Sequence, residues 1–113
     1  MKTVTIDPII QDEARKLELV QVSTRVLQDV LGASAPLVDA SWNQINDQRG
    51  RPLLKLEIRD FTGSAEATFT PDELKDDLHL RDRLRWLWGD LLQDRSKKQM
   101  EKLKQTVQQL EGD

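Results

Sequence analysis

The chain of 113 residues contains no cysteine, no tyrosine and a single histidine, His79. Without cysteine it has no disulfide, no thiolate metal site and no cysteine nucleophile. One histidine excludes a multi-histidine metal centre. Glycine is scarce as well: Gly32, Gly50, Gly63, Gly89 and Gly112 stand apart from one another. Neither a phosphate-cradling loop nor a dinucleotide fingerprint can be built from isolated glycines. No uninterrupted apolar run exceeds three residues, against the ~20 a membrane helix needs. Asp7 and Pro8 interrupt the first ten residues, which therefore carry no signal-peptide core. These absences lead to the expectation of a soluble, cytoplasmic protein with no membrane partner and no cofactor.

What the chain does have is charge, 33% of its residues, with 17 basic and 20 acidic side chains and a net charge of -3. The charge is evenly spread. Residues 1–36 hold four basic and five acidic groups, residues 37–70 the same, and residues 71–113 nine and ten. No segment is a basic domain or an acidic tail, and no linker or internal repeat divides the chain. One domain spanning 1–113 is expected, with the modest core that an apolar content of 37% allows.

Periodicity supplies the architecture. Asp7 and Pro8 suit the N-cap and first position of a helix. No glycine or further proline occurs before Gly32, which fits a helix-closing residue of positive φ. Ile9, Leu17, Val20, Leu27 and Leu31 share one face of that helix, and Leu19, Val22, Val26 and Val30 form a second apolar strip. Residues 17–22 also alternate like a strand, but the long stretch free of Gly and Pro favours helix. Beyond the connector 32–36, three segments alternate: Val38, Ala40 and Trp42; Leu54, Leu56 and Ile58; Ala65, Ala67 and Phe69. The turn-forming stretches 46–50 and 60–63 separate them, so a three-stranded antiparallel meander with one apolar face is predicted.

Thr70, Pro71 and Glu73 then spell a capping box. Leu74, Leu78, Leu80, Leu84, Leu87, Trp88, Leu91 and Leu92 fall on about half a helical circumference. Asp76 or Asp77 offers a break that would make this a helix pair. Residues 93–99 contain no apolar side chain, after which Met100, Leu103, Val107 and Leu110 resume at heptad spacing. The predicted fold is a two-layer α+β domain in the order α-β-β-β-α(α), with residues 97–113 a helical tail available for assembly.

Catalytic chemistry has little to work with. His79 has no serine or cysteine near it in sequence, and Asp72, Glu73, Asp76 and Asp77 are explained by helix capping and the helix dipole. The chain is therefore expected not to be an enzyme. Two arginines around the hairpin glycine, Arg49 and Arg51, have the bidentate groups that grip an anion. Arg95, Lys97, Lys98, Lys102 and Lys104 form the one basic stretch, which suits phosphate contacts and makes a nucleic-acid-associated regulator the alternative function. Trp86 lies about 200° round the helix from Trp88, among Asp82, Asp90 and Gln93. A tryptophan off the core stripe either packs under a second element of the same domain or anchors a partner, and tryptophan is enriched at interface hot spots. The favoured expectation is a non-catalytic protein-protein interaction module or adaptor, a self-associating subunit of a larger assembly, with Trp86, Met100, Leu103, Val107 and Leu110 at the interface.

Overall fold

The computed structural model describes residues 1–111, apart from the side chains of Arg95, Lys98, Gln99, Lys102 and residues 104–111. The fold is α+β. A short strand, β1 (Thr3–Ile6), is followed by one helical turn, α1 (Pro8–Gln11), and a longer helix, α2 (Ala14–Leu31). A 3-10 segment over Gly32–Leu37 leads to three strands, β2 (Asp39–Asn46), β3 (Pro52–Asp60) and β4 (Gly63–Phe69). Two helices close the chain, α3 (Pro71–Lys75) and α4 (Asp77–Glu111).

The sheet order is β1-β2-β3-β4, with β1 parallel to β2 and the other pairs antiparallel. The expected antiparallel meander is thus the larger part of a four-stranded mixed sheet. The extra strand, Thr3-Val4-Thr5-Ile6, is too short to announce itself, and its partner Asp39–Trp42 lies 36 residues away. The predicted N-terminal helix is two helices. Asp7 caps the first as expected, its Oδ1 accepting from Ile9 N at 3.1 Å. Its Oδ2 also accepts from Gln44 N at 3.3 Å, and Asp7 N donates to Trp42 O. One aspartate therefore starts a helix and ties it to β2. The extended backbone of Glu13 (ψ 103°) then separates α1 from α2.

Helix α2 contains residues 17–23, so helix prevails over strand there, and Gly32 closes it with φ of 55°. Its buried positions include Val20, Val26, Leu27 and Leu31, whereas Ile9 and Val22 remain exposed. The break near Asp76 is present: Asp76 has an extended backbone between α3 and α4.

Register explains the two faces of the sheet. Ala40 pairs with Ile58, Trp42 with Leu56, Leu56 with Ala67 and Leu54 with Phe69. These side chains form the apolar face and belong to one core with Val20, Leu27, Leu80, Leu84 and Leu91. Lys55, Glu57 and Arg59 alternate onto the other face, as the period-2 pattern requires. Trp42 is fully buried, and its indole Nε1 donates to Thr24 Oγ1 at 3.0 Å while that hydroxyl donates to Val20 O. The only polar atom of this tryptophan is thereby satisfied inside the core.

Candidate interaction surface

The leucine stripe of α4 serves the core only in part. Leu80, Leu84, Leu87 and Leu91 are buried, but Leu78 and Leu92, both expected in the stripe, are exposed. At the first turn of α4 no element lies over Leu78. Trp86 is 77% exposed. It stands beside β4, in a groove of about 410 Å³ lined by Glu66, Ala67, Arg83, Leu87 and Asp90. Helix α2 does not roof it.

Farther along α4, Met100 is 59% and Leu103 65% exposed. A shallow apolar groove on the helix surface joins Leu92, Gln93, Ser96, Lys97 and Met100. The backbone at Val107 and Leu110 continues the helix, while their side chains lie outside the described residues. The residues expected at an interface therefore share one element, α4, and those whose side chains are described are open to solvent.

The cationic candidates are divided. At the β2–β3 turn Asp47 Oδ1 accepts from both Arg49 N and Arg51 N at 2.8 Å, and its Oδ2 accepts from Arg51 Nε at 3.1 Å. The backbone N–H of Arg51, with that of Arg49 and the guanidinium, holds the Asp47 carboxyl below the usual range. Gly50 takes φ of 77° in this turn, a conformation that glycine adopts without penalty. Arg51 is thus occupied in closing its own hairpin, and Arg49 is exposed. Lys97 is also exposed, on α4; the side chains of Arg95, Lys98 and Lys102 lie outside the described residues.

The arginine trio on α4 has internal tasks. Arg81 bridges Asp29 of α2 at 2.7 Å and Asp77 at 3.1 Å. Those hydrogen bonds, that to Asp29 foremost, raise its pKa further. Arg83 Nη1 reaches Glu73 Oε2 at 2.6 Å with its guanidinium carbon 4.3 Å from the Phe69 ring centre. Arg85 pairs with Asp82 at 3.2 Å. Glu73 completes the predicted capping box with Thr70. Burial pushes its carboxyl up, but the Thr70 N–H and Arg83 outweigh this, and its pKa is lowered overall. His79 Nε2 lies 3.4 Å from the same carboxylate. The cluster locks α3 to α4 and offers no nucleophile.

A second groove, about 400 Å³, crosses the polar sheet face between Thr3, Thr5, Asp39, Ser41, Glu57 and Arg59. Asp39 Oδ1 is buried there without a hydrogen-bond partner, because Arg59, opposite it in register, turns to Glu57 at 2.8 Å. No group of three or more His, Asp or Glu side chains able to hold a metal ion occurs among the described residues. Nor is any helix among them long and apolar enough to cross a membrane.

No family model, curated protein or solved structure matches the chain. Function must therefore be argued from the surface itself. Sequence reading singled out Trp86 by its angle on the helix, but not the contribution of β4, Glu66 and Ala67, to the groove beside it. That contribution depends on which strand lies under α4, which no local pattern encodes.

Proposed function

We propose that this chain is a non-catalytic interaction module that self-associates through α4. The reading rests on one observation: α4 continues well past Leu91, the last buried residue among those described, and displays Met100 and Leu103 mostly exposed in heptad spacing. Apolar side chains exposed at that spacing gain from a second helix. The internal ion pairs of Arg81, Arg83 and Arg85 weigh against a nucleic-acid surface on the first half of α4, which leaves only the stretch 95–104 for that alternative.

Sedimentation of the full chain over a concentration series tests the proposal. A dimer or larger species at micromolar concentration is the expected result. The double variant Met100→Ser/Leu103→Ser should remain folded and sediment as a monomer. A wild-type chain that stays strictly monomeric overturns self-association. Salt-dependent retention on nucleic acid by that monomer would instead support the alternative.

A further inference from the structure

Helix α4 carries a glycine for which its own protein gives no reason. Gly89 sits mid-helix with an ordinary backbone, and a Cβ built there would meet nothing within 4 Å. Glycine weakens a helix interior, so a position with open space around it should hold a better helix former. The spacing of its neighbours supplies a reason. Trp86 lies two heptads before Met100, so Trp86, Gly89, Gln93, Ser96, Met100, Leu103, Val107 and Leu110 follow one another at intervals of 3, 4, 3, 4, 3, 4 and 3. This single seam runs for three and a half heptads, about 36 Å at 1.5 Å per residue. It lies about half a turn from the buried stripe of Leu80, Leu84, Leu87 and Leu91, and Trp86, Met100 and Leu103 along it are exposed.

We propose that this seam pairs antiparallel with the same seam of a second copy, in the register that sets Trp86 against Leu110, Gly89 against Val107, Gln93 against Leu103 and Ser96 against Met100. The proposal rests on the self-association reading and names its geometry. Its decisive feature is the asymmetry of the seam. Residues 86–96 contribute a large aromatic and then three positions without an apolar side chain, while residues 100–110 contribute four apolar ones. A parallel pair in register would stack glycine on glycine, glutamine on glutamine and serine on serine, leaving three layers without apolar contact. The antiparallel register gives every layer at least one apolar partner and puts the smallest residue, Gly89, where a β-branched valine approaches. Charge agrees at the flanks: Asp90 falls beside Lys104 of the second copy at each end of the pairing. The one like-charge meeting is Lys97 with its own equivalent at the centre.

Disulfide trapping tests the register, since the chain has no cysteine to interfere. Gly89→Cys and Val107→Cys are made as separate single variants and oxidised alone and as a mixture. In the proposed register the mixture yields a cross-linked dimer and neither variant alone does. Equivalent positions 89 then lie 18 positions apart along the pair, about 27 Å, whereas a disulfide needs Cα atoms within about 7 Å. Cross-linking of Gly89→Cys with itself would mean a parallel pair, overturning this inference while self-association stands. A sedimenting dimer with no cross-link in either experiment would place the interface elsewhere, also overturning it. A strict monomer removes both readings.

Discussion

The two halves of α4 each carry an apolar stripe, and the stripes meet different surroundings. From Asp77 to Leu92 the helix lies against β4 and α2, and four of its leucines are buried. From Gln93 onward none of the described side chains is buried, and Met100 and Leu103 stay in solvent. The difference is not one of helix propensity, because the helix is continuous through both halves. It lies in what the chain places alongside. A leucine stripe reports that something packs there, and only the fold tells whether the partner belongs to the same chain.

That contrast can be tested by truncation. Leu84→Ala, in the first half, should cost about 2–5 kcal/mol of folding stability, the usual range for deleting a buried leucine side chain; denaturant unfolding measures it. A cost near zero would mean that α4 is not seated on the sheet. Trp86→Ala belongs to the same half in sequence but to the second half in behaviour. It should weaken association by about 2 kcal/mol or more, as for an aromatic anchor, and leave the melting temperature nearly unchanged. A clear loss of monomer stability would instead return Trp86 to the core.

The joint between α3 and α4 should contribute less. Glu73 has its pKa lowered in the folded chain from an ordinary value of 4.5. A depressed carboxyl stabilises the fold above its unfolded value, and that stability is lost as pH falls through the lower folded value. Glu73→Gln should therefore flatten the decline in stability below about pH 4.5, by roughly 1 kcal/mol or less for a partly exposed pair. An unchanged acid profile would show that the Arg83 contact adds nothing. Smallest of all, Leu103→Ala should alter the stability of the isolated monomer by no more than about 0.5 kcal/mol, as at any open surface position.

Much of this fold was legible because its signals are local. Asp7 with Pro8, the Thr70–Glu73 box, Gly32 and the alternation of Leu54, Leu56 and Ile58 each declare themselves within a few residues, and each is where it was expected. Strand β1 was not legible, because four residues pairing with a segment 36 positions away leave no pattern in their own neighbourhood. The division at Glu13 was hidden for a related reason: the apolar spacing of Ile9, Leu17 and Val20 suits one helix as well as two. For the surface, the angle of Trp86 revealed its separation from the core. The place of Gly89 in the same seam became visible only once its surroundings were known to be empty.

The placement of β1 has a consequence in time. Its partner residues are separated from it by the whole of α1 and α2, whereas β2, β3 and β4 are joined through the turns at 47–51 and 61–62. Closing the longer loop costs more chain entropy, so the hairpins can assemble first and β1 adds to a sheet already formed. The edge that joins last in this order is also the edge expected to open first. Native-state hydrogen exchange should then find the bonds that hold β1 and its flanking residues to β2, such as that from Asp7 N to Trp42 O, opening while the β2–β3 ladder stays protected. Equal protection of the two ladders would mean that the sheet forms and opens as one unit.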